Sequence, residues 1–188
     1  MRAIVEDNHW RVDVYTGYAC QWIIDHEGAC EDHLDDLHQK LSEGELDYDV
    51  IITGAARWSL EGRSGQSGDY AATWEAVMER GTQVIAIEDA PMVSEDLMQC
   101  VQRSSFAFSP EECHVTPERG ADAEDSVALA THNSNAELLR TWDLFCNDEV
   151  CPAVIGGVIV YRDASGACYC RVRQYNDSVY SRTPGGTH

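Results

Sequence analysis

Asp49-Val50-Ile51-Ile52-Thr53 and, further along the chain, Gln83-Val84-Ile85-Ala86-Ile87 are short β-branched runs, each closing on a polar or glycine turn. Runs of this kind have the pattern of strands covered on both faces, as in a parallel sheet. Helical patterns surround them. Leu34, Leu37 and Leu41 recur at helical spacing behind an acidic first turn, and Ala71, Trp74, Val77 and Met78 do the same before Gly81 stops the helix. Arg11 to Tyr15 alternates polar and apolar residues as a half-buried strand does. A further helix is expected over Ala123 to Ala130, with strands again near Leu138 to Leu144 and at Val158 to Tyr161. Alternating strand and helix predicts α/β architecture: a three-layer α/β/α sandwich around a mostly parallel sheet. Such sheets carry their chemistry in the crevice at the carboxyl ends of the strands. The segments to watch are therefore Thr53 to Gly62, Glu88 to Met92, and Asp163 onward.

The chain has 188 residues, 33 acidic side chains against 13 basic ones, and a formal charge of −20. Its length and a hydrophobic fraction of 44% suffice for one sizeable core. The negative charge repels phosphate backbones and anionic lipid headgroups, which argues against nucleic-acid binding and membrane-surface docking. No stretch approaches the ~20 consecutive apolar residues of a membrane span, and the first residues lack the apolar core of a signal peptide. Six cysteines form three local pairs, Cys20 with Cys30, Cys100 with Cys113 and Cys146 with Cys151; Cys168 and Cys170 stand apart. None of the three local pairs has zinc-knuckle spacing, so disulfides fit better than metal, although sequence alone does not fix the pairing. Closed loops this short each restrict the unfolded chain by about 2 to 3 kcal/mol and persist in oxidising compartments, which gives an extracytoplasmic expectation.

Several candidate sites read as ordinary structure. The glycine-rich Gly62 to Gly68 lacks the Lys-Ser/Thr ending of a phosphate loop and is expected to be a flexible loop. His26, His33 and His38 lie among carboxylates, but His33 and His38 share a helical face poorly and are expected on the surface. Tryptophans 10, 22, 58, 74 and 142 are expected mostly in the core, with Trp58, just past a strand end, best placed to line a pocket. Asp163 follows a strand directly, at the sheet edge where a carboxylate can orient a histidine that activates a nucleophile.

The segment Cys146 to Asp163, with its Cys151-Pro152, Gly156-Gly157 and Tyr161-Arg162-Asp163, closely resembles the last third of the SGNH-type domain fused to acyltransferase-3 membrane proteins, which O-acylate cell-surface glycans. Supporting likeness covers Trp10 to Thr16, Val50 to Trp58 and Gly81 to Pro91, and the cysteine positions agree. The resemblance implies an SGNH-hydrolase/flavodoxin-like fold and a Ser-His-Asp triad in which Asp163 is the aspartate. Gly54, in the loop after Thr53, is an oxyanion candidate, with Arg57 and Trp58 as pocket residues. It also implies a cell-surface glycan as acceptor, a membrane acyltransferase domain as acyl donor, and neither metal nor organic cofactor.

Two departures bear on catalysis. The family's nucleophile lies in a Gly-Asp-Ser block after the first strand, and no Gly-Asp-Ser occurs in this sequence; Met1 is expected to start after that block, leaving the first strand missing. Asp163-Ala164-Ser165 is followed by Gly166 where the family has histidine. Codons permitted for Ala167 to Val179, read one base over, can spell His-Val-Thr-Ala-Ala-Tyr-Ala-Ser-Thr-Met-Thr-Pro, like the family's histidine and closing helix. The expected organisation is a partial SGNH-like domain over residues 1–165 and an out-of-frame tail over 166–188. The expected function is a glycan O-acyltransferase or acyl esterase domain with impaired catalysis. The alternatives are a non-catalytic glycan-binding or inert fragment, and an acidic secreted interaction protein.

Overall fold

The computed structural model describes residues 9–16, 20–24, 30–56, 66–107, 112–120 and 125–161. Helix α1 (Glu31–Glu43) opens on Glu31 and Asp32, carries Lys40 in its last turn, and stops at Gly44, whose left-handed φ of 77° lets its N–H reach the Leu41 carbonyl. Charges of these signs complement the helix dipole, and glycine is the residue that adopts such a cap without strain. Leu34 and Leu41 form its buried stripe. The Lys40 ammonium meets Asp36 one turn earlier at 2.6 Å. Strand β1 (Val50–Thr53) leads to α2 (Gln66–Met78) and β2 (Gln83–Ile87), with Gly81 at φ 97° in the turn between these last two. Helix α3 (Glu95–Ala107), strand β3 (His114–Val115), the single turn α4 (Pro117–Gly120) and α5 (Ser126–His132) follow, then β4 (Glu137–Leu139), a 3-10 turn at Trp142–Leu144, and β5 (Cys151–Pro152), β6 (Val154–Ile155) and β7 (Val158–Ile159).

The main sheet has the order β1-β2-β4, parallel throughout, with Ile51 beside Val84 and Ala86 beside Leu138. The two-residue period of a strand puts Ile51, Val84, Ala86 and Leu138 on one face. That face is covered: α2 supplies Tyr70, Trp74 and Val77, α5 supplies Val127 and Ala130, and Leu41 of α1 closes the cluster. A second cluster joins Val93, Leu97 and Val101 to Cys113, Val115, Cys151, Ala153 and Tyr161 around the β3-β5 pair. All three local cysteine pairs are disulfides: Cys20–Cys30, Cys100–Cys113 and Cys146–Cys151. No helix among the described residues is long and apolar enough to cross a membrane.

The structure departs from the sequence reading in several places. Arg11 to Tyr15 is exposed and belongs to no strand; its odd-numbered side chains gather on Tyr48 instead of entering a ladder. On the opposite face of the sheet Ile85 and Ile87 are half-buried, while Val50, Ile52 and Leu139 of the outer strands are exposed. The helix expected from Ala123 begins at Ser126, because the Asp125 side chain accepts the Ala128 N–H and fixes the cap there. The strand expected over Leu138 to Leu144 ends at Leu139 and gives way to the 3-10 turn. Val158 to Tyr161 does not join the parallel sheet. Gly156 and Gly157, at φ 56° and 77°, close a two-residue turn that pairs β7 antiparallel with β6. Residues 66–68 of the expected glycine-rich loop are the first turn of α2.

Candidate active site at the carboxyl ends of the strands

Strands β1, β2 and β4 end side by side at Thr53, Ile87 and Leu139. Beyond them the chain turns away, and two carboxylates hold those turns. Glu88, directly after β2, donates its N–H to the Leu139 carbonyl at 3.1 Å. Its Oε2 accepts the N–H groups of Thr141 and Trp142, both at 3.0 Å, while the Thr141 hydroxyl donates to the Glu88 carbonyl at 2.7 Å. A charged acceptor taking two amides from the start of a 3-10 turn locks the β4 exit against the β2 exit. Asp125 does the same one residue further on: Oδ2 accepts the Asp89 N–H at 2.8 Å and Oδ1 the Ala128 N–H at 2.9 Å. Asp125 is buried, so the amides it accepts are the partners that make its desolvation tolerable. Glu88 and Asp125 therefore shape the rim.

Gly54 stands at this rim. A Cβ placed on it would lie 3.6 Å from the Ile87 Cβ and carbonyl oxygen, so the β1 exit runs in van der Waals contact with the β2 exit. Across the next turn, Gly120 admits no side chain comfortably. A Cβ there would sit 3.1 Å from Pro91 Cβ, 3.3 Å from Trp142 Cη2 and 3.4 Å from Cys151 Sγ, which ties the segment after β2 to the disulfide-bearing cluster. Met92 donates its N–H to the Gly120 carbonyl at 2.9 Å and completes the joint.

Of the residues singled out in the sequence, Asp163, Arg57, Trp58, His26, Cys168 and Cys170 lie outside the described residues; Gly54 is at the strand ends as expected. His33 is exposed, but His38 is not a free surface residue: its ring stacks on Trp22 at 6.3 Å and its Nε2 lies 3.3 Å from the Ile23 carbonyl. It lines a shallow groove of about 380 Å³ with Asp35, Ser42 and Val77, where α1 and α2 lead into β1 and β2, at the amino edge of the sheet. A second groove of about 380 Å³ runs along Asp96, Cys100 and His114. Trp74 is fully buried, whereas Trp10 is exposed, against the expectation of a core residue. Among the described residues no three His, Cys, Asp or Glu side chains are placed to hold a metal ion. Glu88 falls in the segment Glu88 to Met92 expected at the strand ends, whereas nothing in the sequence reading pointed to Asp125 and Thr141 as rim-shaping residues. Asp125-Ser126 before the apolar Val127 to Leu129 carries a helix-cap signature, which is the signal that locates one of them.

The family described as "SGNH domain (fused to AT3 domains)" matches residues 1–165. The chain belongs to that family. Its fold is similar to that of the periplasmic domain of a lipopolysaccharide acetyltransferase from Salmonella ser. Paratyphi A, with a TM-score of 0.62 and 10% identity over 96% of this chain and 77% of that one. No curated protein matches the sequence.

Proposed function

We propose that this chain is the extracytoplasmic domain of a glycan O-acyltransferase, working with a membrane acyltransferase domain as acyl donor and a cell-surface glycan as acceptor. The observation that carries the reading is the family match over residues 1–165. The similarity in fold to a lipopolysaccharide acetyltransferase periplasmic domain supports it, as do three disulfides. In the chemistry of this class a serine attacks the acyl group, a histidine serves as base and then acid, and a carboxylate holds the imidazole in its productive tautomer. Asp163 is the residue for that last role, and the Gly54 turn is an oxyanion candidate with Arg57 and Trp58 beside it.

The 188 residues contain no Gly-Asp-Ser block, and Gly166 stands where the triad histidine is expected. Losing nucleophile and base typically costs several orders of magnitude, so this reading expects impaired catalysis from these residues, with a non-catalytic glycan-binding or inert fragment as the alternative. Residues 166–188 are out of frame in this reading. The codons from Ala167 onward decide that point: if they cannot spell a histidine one base over, the tail is genuine. Glycan binding is tested by titrating a neutral cell-surface oligosaccharide and following backbone amide shifts. Shifts clustered at Gly54, Asp89 and Thr141 are expected; shifts confined to the amino-edge groove, or none at millimolar sugar, contradict the placement.

A further inference from the structure

Among the described residues, two exposed apolar surfaces stand out. One lies on the sheet face opposite the core, where Val50, Ile52 and Leu139 of the outer strands are 43%, 64% and 51% exposed. The other is the extended segment 10–14. Its Arg11 guanidinium lies over the Tyr48 ring at 5.5 Å, and Asp13 accepts the Tyr48 hydroxyl at 2.8 Å. With the odd-numbered side chains held to Tyr48, strand-like alternation turns Trp10, Val12 and Val14 outward, at 60%, 47% and 70% exposure. Exposed apolar side chains clustered on a sheet face and along an alternating segment are surfaces that association can bury.

We infer that the two surfaces cover each other between two copies of this chain: Trp10, Val12 and Val14 of one copy pack on Val50, Ile52 and Leu139 of the other, and reciprocally. Each copy supplies both halves of the contact, which is the condition for a closed two-fold pair. The six side chains expose on the order of 600 Å² per copy, or about 1,200 Å² in a pair, at the lower bound for a stable interface. Opposing it is the charge of −20 on each copy. Repulsion of that kind is long-range and screened by salt, whereas apolar burial is not weakened by it, so the pair forms at high ionic strength and separates at low. This salt response is opposite in sign to that of an interface held by ion pairs.

Sedimentation velocity on the whole chain at protein concentrations from about 10 to 200 µM, in about 0.05 and 0.5 M NaCl, tests the inference through that screening. Expected is a concentration-dependent dimer at high salt that weakens at least tenfold at low salt. Ile52→Lys and Val14→Lys should each weaken it by a further tenfold or more. Both sites are exposed, so far-UV circular dichroism and the melting temperature should stay unchanged. Mixing the Val14→Lys chain with an Ile52→Glu chain should restore association, since the new charges meet only in the crosswise arrangement. A monomer at every salt concentration, a dimer indifferent to both lysines, open-ended growth, or failure of the mixed pair overturns the inference.

Discussion

Tyr48 shows how one side chain organises a segment that forms no ladder. Its hydroxyl donates to Asp13 and lies 3.0 Å from the Tyr15 hydroxyl, so Tyr15 is the donor of that second bond. Burial, together with these bonds, pushes the Tyr48 phenol well above its ordinary value. A group whose pKa is raised on folding contributes stability that is complete below its unfolded value and lost as pH climbs toward the folded one. Stability should therefore fall as pH rises past about 10, and Tyr48→Phe should remove much of that fall while lowering stability near neutrality by about 1 kcal/mol, read from urea unfolding. Asp125 is the more consequential residue because it is buried and serves two backbone amides. Asp125→Ala should cost about 2–3 kcal/mol, whereas Asp125→Asn, which keeps one acceptor, should cost less. An alanine variant as stable as the parent contradicts its role at the rim.

At the scale of elements, Gly120 and the Cys100–Cys113 disulfide fix the second cluster to the carboxyl end of β2. Gly120→Val must push aside Pro91, Trp142 and Cys151, and should lower stability by about 1–3 kcal/mol, measured by thermal unfolding. Replacing both Cys100 and Cys113 with alanine opens a loop with a sequence separation of 13 and should cost about 3 kcal/mol, with a lower melting temperature. The elements legible in the sequence are those with a strong internal period or an unambiguous stop. The β1 and β2 runs, the leucine stripe of α1 and the Trp74 helix are of this kind, and the cysteines pair as their proximity suggests. Alternation at Arg11 to Tyr15 reports which side chains share a face and says nothing about whether a neighbour covers it. At Val158 to Tyr161 the β-branched run was legible, yet Gly156-Gly157 decided its pairing, since two left-handed glycines close a hairpin before a parallel crossover can begin. The rim is less legible because Glu88 meets Thr141 and Trp142 only through the fold, far apart in sequence.

For the molecule as a whole, the parallel sheet and its fixed carboxyl rim belong to a chain of the SGNH family, and the proposed acyl-transfer site lies at that rim. A net charge of −20 keeps the acidic surface soluble, and the proposed function puts the glycan at the strand ends. In the proposed function Asp163 orients an imidazole, and Gly166 stands where the family's histidine is expected. Hydrolysis of p-nitrophenyl acetate by the purified chain and by its Asp163→Ala variant tests this most directly. Both should release nitrophenol at the rate of buffer alone; turnover by the parent that disappears in the variant would show a working triad and contradict the account.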